Sequence, residues 1–416
     1  MPFTKRLIVA LVLMTATAAF AAPTGTAQPT SSNASACANR ETPPPPVDTS
    51  EQPKPGTKAP GPLEVPESPV GGDRLGECGL ILPPNAQPLP NITAASWLLA
   101  DIDSGAVLAA YDPHGRQRPA SVIKVLLAMV VAKELRGDIV ATATAEDIEQ
   151  ECTCVGLRDG GQYTVRQLLQ ALLLSSGNDV AHTLARQLGG VPNALRKMNA
   201  LAKELGALDT RAVTPSGLDG PGTSTSAYDV ALIFRGAMKY PEFADAIKLQ
   251  QTEFPGRNGG TITLNSDNKL LTSYEGALGG KTGFTDDAQH TYVGAAERNG
   301  RRLVVTLLRG QQTPTRIVDQ AAKLLDYGFA MGPGGVGQLV NGAPQPKQKV
   351  TTTQPPNVAD TAATGGDGRS ERSAPSAFGN VGGPITAVAG LGLLAALFMY
   401  FRKKRARARR QAAQSA

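Results

Sequence analysis

The first apolar pattern inside the chain is a pair of short hydrophobic runs in SWLLADIDSGAVLAAYD, residues 96–112. Asp103, Ser104 and Gly105 separate the two runs, and a break of this kind is typical of the turn in a β-hairpin. After residue 260 apolar and polar positions alternate again, and the alternation turns at Asn299 and Gly300, a pair that favours a tight hairpin. The pattern therefore predicts strands in two distant parts of the chain.

Helical periodicity dominates the residues between these two strand regions. Thr164 and Gln167 have the spacing of a capping box ahead of VRQLLQALLL, and glycines follow two of the later helical segments. The predicted helices cover residues 119–135, the segment that opens at Thr164, and residues 179–188, 192–205 and 315–329. This order predicts an α+β fold, in which both chain ends complete one antiparallel sheet flanked by helices and a helical subdomain is inserted.

Residues 1–21 have the form of a secretory signal peptide. Lys5 and Arg6 precede the apolar run LIVALVLMTATAAF, and residues 19–21 read Ala-Phe-Ala, the small-x-small pattern of a cleavage site. The alternative is a short buried N-terminal helix, which the basic start of the run disfavours.

Residues 381–401 are predicted to span a membrane. The stretch is uncharged, and about 20 such residues are enough to cross the hydrocarbon core of a bilayer. The basic tail, residues 402–416, opens with RKKRARARR, and basic residues stay on the cytoplasmic side. The expectation is a single-pass protein of the cell membrane whose central region lies on the extracytoplasmic side. The alternative, a buried helix followed by a basic nucleic-acid-binding tail, is disfavoured by the signal peptide.

Two further segments have the composition of linkers. Residues 22–88 are rich in proline, serine and threonine, and residues 331–380 are rich in glycine, proline, threonine and glutamine. Such compositions do not bury a hydrophobic core and favour extended chain. The folded unit is therefore predicted at residues 89–330, held away from the membrane by a flexible stalk.

The net charge of +6 comes from the two ends of the chain. Seven basic residues lie in the C-terminal tail and two in the signal peptide, so the charge becomes −3 without them. A body of this charge is not expected to bind nucleic acid or another polyanion.

The four cysteines fit an oxidising compartment, in which they form disulfides. They are Cys37, Cys78, Cys152 and Cys154, and three pairings remain open. A metal site at Cys152 and Cys154 is an alternative, but no histidine lies near them in sequence, which favours disulfides or free thiols. Neither a metal nor a cofactor is predicted.

The stretch GALGGKTGF, residues 276–284, contains a Gly-Lys-Thr sequence that also occurs in phosphate-binding loops. A P-loop requires a further glycine five positions before Gly280, and Glu275 stands there. The residues that follow have the pattern of a hairpin and not of a helix start. Lys281 is therefore expected on a strand, where it serves something other than a phosphate.

Ser121 and Lys124 stand at the opening of a predicted helix, where a spacing of three places both side chains on one face. A serine hydroxyl becomes a good nucleophile only when a neighbour takes its proton, and a lysine can do so when its pKa is lowered. Burial and a nearby cation such as Lys281 would lower the pKa of Lys124. A solvated helix face is the ordinary alternative for such a pair.

Two further short motifs follow in chain order. Ser176 and Asn178 lie in a turn between two predicted helices, where they can face a cleft or simply cap a helix. Lys281, Thr282 and Gly283 lie on a strand. Together with Ser121 and Lys124 they match the Ser-x-x-Lys, Ser-x-Asn and Lys-Thr-Gly signature of the penicillin-recognising acyl-transferases.

The wider sequence resembles the D-alanyl-D-alanine carboxypeptidases, the low-molecular-mass penicillin-binding proteins of bacteria. Besides the three motifs, the segments TPSGLDGPGTSTSAYDVA and LLDYGF are similar to that family, and the likeness covers about residues 89–330. The resemblance implies a DD-peptidase or β-lactamase-like fold, a peptidoglycan stem peptide as substrate and β-lactam antibiotics as inhibitors.

The resemblance also implies a role for each matched residue. Ser121 would attack the carbonyl of the penultimate D-alanine, with Lys124 as its base. Ser176 would relay a proton to the leaving amine, and Asn178 would hold the amide side of the substrate. The substrate-binding residues implied are Lys281, Thr282 and Gly283 of the strand, Phe284, whose backbone N–H would join that of Ser121 in the oxyanion hole, and Arg316, which would assist with the terminal carboxylate.

The chain departs from the family in two respects. Many relatives carry a small β-rich domain after the catalytic unit, whereas residues 331–380 are predicted to be a linker. The predicted spanning helix also takes the place of the amphipathic surface helix that is common in Gram-negative members of the family.

Two other functions remain open on the sequence. A β-lactamase of class A would need a catalytic glutamate between Ser176 and Lys281, and no acidic residue there has the required sequence setting. A silent peptidoglycan-binding scaffold would be expected to have lost part of the signature, which is complete here.

Overall fold

The structure is a computed structural model that describes residues 37–151, 153–332 and 334–342. The predicted signal peptide, membrane span and basic tail lie outside the described residues. Within those ranges, no helix combines the length and the apolar character needed to cross a bilayer.

Short and long strands alternate with helices along the described chain. The strands are β1 (Leu80–Ile81), β2 (Ser96–Asp101), β3 (Ala106–Tyr111), β4 (Val140–Thr142), β5 (Gln162–Thr164), β6 (Gln251–Pro255), β7 (Thr261–Asn265), β8 (Ala277–Thr285), β9 (Gln289–Arg298), β10 (Arg301–Gly310) and β11 (Gly337–Gln338). The helices are α1 (Lys124–Glu134), α2 (Ala145–Ile148), α3 (Val165–Ser175), α4 (Asn178–Gln187), α5 (Val191–Leu205), α6 (Ala227–Ala237), α7 (Pro241–Ile247), α8 (Leu270–Ser273) and α9 (Ile317–Ala330).

One antiparallel sheet organises the fold. Its order is β1-β3-β2-β10-β9-β8, with β11 also paired to β3. Strands β2 and β10 are neighbours although 199 residues lie between them in sequence, so the two ends of the unit meet in the middle of the sheet. The helices α1 to α7 are inserted between these halves, which confirms the predicted α+β architecture. Strand β8 lies at one end of this order, so one of its edges is not paired with another strand of the described residues.

Both faces of the sheet are covered, and side chains alternate between them as the pleat requires. On one face Trp97 and Leu99 pack with α9. On the other, Leu98 and Ala100 pack with the inserted helices. Strand β2 is buried throughout apart from its last residue, which places it at the centre of the core.

The structure confirms the capping box and the hairpin turn that the sequence predicted. Thr164 and Gln167 form a complete capping box at the start of α3. Asn299 has a positive φ of 53° at the turn between β9 and β10. The helix predicted at 119–135 is divided, because a 3-10 turn over Ala120–Ile123 precedes α1.

The linker prediction for residues 22–88 is wrong for the part that the structure describes. Residues 37–78, here called the N-terminal strap, lie against the folded body, and Cys37 forms a disulfide with Cys78. Several backbone carbonyls of this segment accept hydrogen bonds from the body. The unit also extends past residue 330, since β11 pairs with β3.

Two buried arginines, Arg116 and Arg118, donate hydrogen bonds to backbone carbonyls of the strap. Arg116 donates to the carbonyls of Glu41 and Leu63 at 2.6 and 2.7 Å and to that of Glu64 at 3.0 Å, and its Nε donates to Asp209. It is fully buried. The low-complexity composition of the strap hid this role, because Arg116 belongs to another segment. The end of the strap also buries Val70 and Leu75 in the core of the body.

Replacing Arg116 should test how much this attachment contributes. Arg116→Met leaves Asp209 and three carbonyls of the strap without their buried donor, and the loss of one partner from a buried ion pair costs about 3–5 kcal/mol. The free energy of unfolding, measured by denaturant titration, should fall by that amount. Arg257→Met, at an exposed arginine, is the matched control and should change it by less than about 0.5 kcal/mol. Equal losses in the two variants would contradict the assignment.

Candidate active site

Ser121 lies in the 3-10 turn that precedes α1, and the residue before it, Ala120, has an unusual backbone conformation. Ala120 has a φ of +46°, a left-handed conformation that a residue with a side chain seldom adopts. A Cβ atom on Gly217 would lie 1.9 Å from the carbonyl oxygen of Ala120. Only glycine at position 217 permits this close approach, and the packing of its loop keeps the turn of Ser121 in place.

Lys124 is the centre of the site. Its Nζ lies 2.8 Å from Ser121 Oγ, 2.8 Å from Asn178 Oδ1 and 2.6 Å from the carbonyl oxygen of Ser216. The side chain is fully buried. Asn178 Oδ1 and the carbonyl of Ser216 can only accept hydrogen bonds, so two N–H groups of the amine point at them. The third tetrahedral position of Nζ faces the hydroxyl oxygen of Ser121.

The environment lowers the pKa of Lys124 well below its usual value of 10.5. Burial is the main cause, and the positive charge of Lys281 adds to it, while Asp179 and Asp267 oppose the shift. A neutral amine keeps a lone pair at its third position, which can take the proton of the Ser121 hydroxyl. The geometry and the electrostatics therefore favour the same role, a general base for the serine.

Asn178 opens α4 and orients Lys124. Its Nδ2 donates to the carbonyl of Glu151 at 2.6 Å, which fixes Oδ1 as the atom facing Lys124. Its oxygen accepts a hydrogen bond from Lys124, and the predicted contact of Asn178 with the amide side of a substrate stays a prediction.

Ser176 occupies the turn between α3 and α4. Its backbone has left-handed angles, with a φ of 60°. The residue is buried, with 5% of its surface exposed. Its hydroxyl bonds neither Lys124 nor Lys281, so the predicted proton relay is not formed in this structure.

Lys281, Thr282 and Gly283 lie on the edge strand β8, as the sequence predicted. Lys281 is buried, its Nζ donates to the carbonyl of Thr282 at 2.7 Å, and burial lowers its pKa to about 8. A Cβ atom on Gly283 would lie 2.8 Å from the backbone nitrogen of Ser121. Glycine is therefore required here for the strand to come this close to the serine.

The last two residues predicted for the site, Phe284 and Arg316, lie on different elements. Phe284 follows Gly283 on β8 and is 54% exposed. The centroid of its ring lies 4.6 Å from that of the His290 ring. Arg316 precedes α9, where its Nε donates to Asp319 at 2.9 Å and its side chain is 62% exposed. None of the hydrogen bonds of Arg316 reaches Lys281 or Thr282 in the described part of the chain, so its predicted role stays a prediction.

Three contributors were not predicted as site residues. Ser216 accepts a hydrogen bond from Lys124 through its backbone carbonyl, Gly217 packs against Ala120, and Asp267 acts electrostatically on both lysines. The first two lie in TPSGLDG, a segment that the sequence marked by resemblance alone. A backbone carbonyl leaves no residue-type signal, which explains the omission.

A cluster of His114, Asp209 and Asp229 has ligand atoms close enough to hold a metal ion. The histidine is already engaged on both nitrogens, at 2.9 Å from Asp209 Oδ2 and 2.9 Å from the carbonyl of Val70. Arg116 also donates to Asp209. A metal ion does not fit here, because both nitrogens of His114 are already hydrogen-bonded and the guanidinium cation of Arg116 lies against Asp209. The cluster is a buried hydrogen-bond network that helps to hold the strap.

Comparison with known proteins agrees with this geometry. The family model described as D-alanyl-D-alanine carboxypeptidase matches residues 84–312. D-alanyl-D-alanine carboxypeptidase DacB2 of Mycobacterium tuberculosis is 49% identical over 265 residues, which cover 62% of this chain and 90% of that protein. DacF of Bacillus subtilis is 29% identical, over 57% of this chain and 62% of its own length.

Solved structures show the same fold. A D-alanyl-D-alanine carboxypeptidase from M. tuberculosis H37Rv superposes with a TM-score of 0.60 at 47% identity, covering 62% of this chain and 99% of that one. The DD-transpeptidase of Streptomyces K15 gives a TM-score of 0.56 at 29% identity, covering 59% of this chain and all of the other.

The lowered pKa of Lys281 predicts a pH-dependent stability. Above a pKa of about 8 the folded protein releases this proton, while the unfolded chain keeps it up to the ordinary value of about 10.4. The unfolded state then binds more protons, so the free energy of unfolding should rise by about 1.4 kcal/mol per pH unit. Denaturant titrations between about pH 8 and pH 9.5 should show this rise in wild type relative to Lys281→Met.

Lys248→Met is the control, because Lys248 is 57% exposed and should leave the slope of wild type unchanged. Parallel curves for wild type and Lys281→Met would show that Lys281 titrates normally.

Proposed function

The chain belongs to the D-alanyl-D-alanine carboxypeptidase family of serine peptidases, and from this we propose that it removes the terminal D-alanine from peptidoglycan stem pentapeptides through an acyl-enzyme on Ser121. The observation that carries the proposal is the placement of Lys124 Nζ between Ser121 Oγ and two groups that can only accept hydrogen bonds.

Acylation begins with the transfer of the Ser121 proton to Lys124. The serine oxygen attacks the carbonyl carbon of the penultimate D-alanine, and the developing negative charge on the carbonyl oxygen is stabilised by the backbone N–H groups of Ser121 and Phe284. The close approach of Gly283 to the nitrogen of Ser121 supports this pairing, because it brings β8 next to the serine. Collapse of the tetrahedral intermediate breaks the peptide bond.

The leaving D-alanine needs a proton on its amine. Lys124 gained that proton from Ser121, and Ser176 is proposed to relay it once the substrate fills the cleft and brings the hydroxyl into contact. Water then attacks the acyl-enzyme, again with Lys124 as base, and releases the shortened peptide.

The terminal carboxylate of the substrate is proposed to bind at Lys281 and Thr282. A lysine with a pKa of about 8 is mostly charged at neutral pH, and a bound carboxylate would keep it so. A β-lactam carries a carboxylate and a reactive carbonyl in the same relation, so it is proposed to acylate Ser121 as well. Its acyl-enzyme is expected to persist, because no glutamate in a class A setting precedes the third motif.

Replacement of Ser121 tests the nucleophile. Full-length wild-type protein in detergent should convert a stem pentapeptide to the tetrapeptide with release of one D-alanine, as measured by mass spectrometry. Ser121→Ala should lower the rate by at least about a thousandfold and abolish covalent labelling by a fluorescent penicillin. Ser104→Ala, in the exposed turn of the β2–β3 hairpin, should behave as wild type.

Labelling of Ser121→Ala equal to that of wild type would refute the nucleophile. Rapid catalytic hydrolysis of benzylpenicillin by the wild-type protein would favour a β-lactamase instead, and binding of peptidoglycan without turnover would favour a scaffold.

The location of the protein is proposed from the chain ends. Residues 381–401 would hold it in the cell membrane, with the folded unit on the extracytoplasmic side. Deleting residues 381–416 should move the protein from the membrane fraction to the soluble fraction after alkaline extraction, while D-alanine release is retained. A full-length protein that is already extracted by alkali would contradict the anchor.

A further inference from the structure

The N-terminal strap bridges the two walls of the proposed cleft. One wall carries Ser121, and Arg118, three residues before it, donates to Glu51 at 2.8 Å and to the carbonyl of Pro44 at 2.7 Å. Arg118 is 2% exposed. The first end of the bridge is therefore a largely buried ion pair on the segment that carries the nucleophile.

The second end of the bridge lies on the edge strand. The backbone N–H of Val47 donates to Asp287, and Ser50 Oγ donates to the same carboxylate at 3.0 Å. Asp287 is buried at the tip of the hairpin between β8 and β9, where Phe284 pairs with His290 and Thr285 with Gln289. Residues 44–51 thus connect the serine segment to the tip of this hairpin.

The direction of a bound peptide follows from the roles proposed along β8. Its carboxylate would lie at Lys281 and Thr282 and its scissile carbonyl at the N–H of Phe284. A peptide that adds to an open strand edge stays extended, so the residues before the scissile bond continue past Thr285 toward Asp287. Three residues of strand cover about 10 Å, which brings the third and fourth residues before the scissile bond to the strap.

We propose that Val47–Ser50 of the strap form a wall of the substrate cleft and determine its preference for longer stem peptides, by contacting the third and fourth residues before the scissile bond. This inference rests on the proposed function. The exposed side chain of Val47, which is 67% accessible, supplies an apolar contact for those residues. The buried anchors at Arg118 and Asp287 hold that side chain in position without substrate.

Two peptides separate this wall from a general effect on catalysis. One is the stem pentapeptide, and the other is an N-acetylated tripeptide made of its last three residues, which stops short of the strap. The quantity compared is the ratio of kcat/KM for the pentapeptide to kcat/KM for the tripeptide, from D-alanine release by full-length protein in detergent.

Val47→Ser keeps the backbone bond to Asp287 and removes the apolar contact. It should lower the ratio about fivefold, as expected for partial burial of a valine side chain, mainly through a higher KM for the pentapeptide. Val140→Ser, at a 54% exposed valine on β4, is the matched control and should leave the ratio of wild type.

A second pair of variants tests the bridge itself. Glu51→Gln weakens the ion pair with Arg118 and should lower the ratio in the same direction. Glu64→Gln makes the same change of charge at an exposed glutamate of the strap, whose backbone carbonyl alone binds Arg116, and should have no effect.

A ratio that falls in Val47→Ser or in Glu51→Gln, but in neither control, supports the wall. A ratio that is unchanged or raised in both Val47→Ser and Glu51→Gln overturns the proposed wall. In that case D-alanine release by the wild-type protein would still support the proposed function. Release from neither peptide by wild type would instead refute the proposed function.

Discussion

The site depends on Lys124, a buried lysine with three hydrogen-bonding neighbours. Its positive charge is disfavoured by burial and by the nearby cation of Lys281. An ammonium group taken out of water costs several kcal/mol unless it is compensated, and the second cation at Lys281 increases that cost for Lys124. Two of the neighbours of Lys124 only accept, so deprotonation leaves both of those bonds intact and frees the lone pair toward Ser121. The same packing that destabilises the charged lysine therefore prepares the base.

Several distant segments are needed to maintain this arrangement. The hairpin of β8 and β9 brings Lys281 and Gly283 to the serine, the first residue of α4 is Asn178, and the loop at Ser216 and Gly217 supports Ala120. The sheet makes these contacts possible because its halves come from opposite ends of the unit. The strap adds a constraint from a fifth region, since arginines just before Ser121 bind its carbonyls.

Sequence patterns predicted the architecture, and they marked segments whose side chains meet at the site, because the relevant signals are local or chemical. A capping box at Thr164, a turn at Asn299 and Gly300, and lysines and serines in motif spacing can all be recognised in a single segment. The order of residues 41–64 of the strap could not be predicted in this way, since Arg116 and Arg118, which bind their carbonyls, lie outside the strap. The carbonyl of Ser216 was missed for a similar reason, because any residue could supply it. Arg316 has the expected place in the sequence, yet its guanidinium pairs with Asp319, so sequence position alone does not fix its role.

The most direct test of this account is a titration of Lys124 itself. With carbon-13 at the ε position of lysine, the resonance that disappears in Lys124→Met identifies this side chain, and its chemical shift reports the protonation of Nζ. The account predicts a transition well below the ordinary lysine pKa of 10.5. A resonance that remains that of an ammonium group up to about pH 10 would show that Lys124 cannot accept the proton of Ser121.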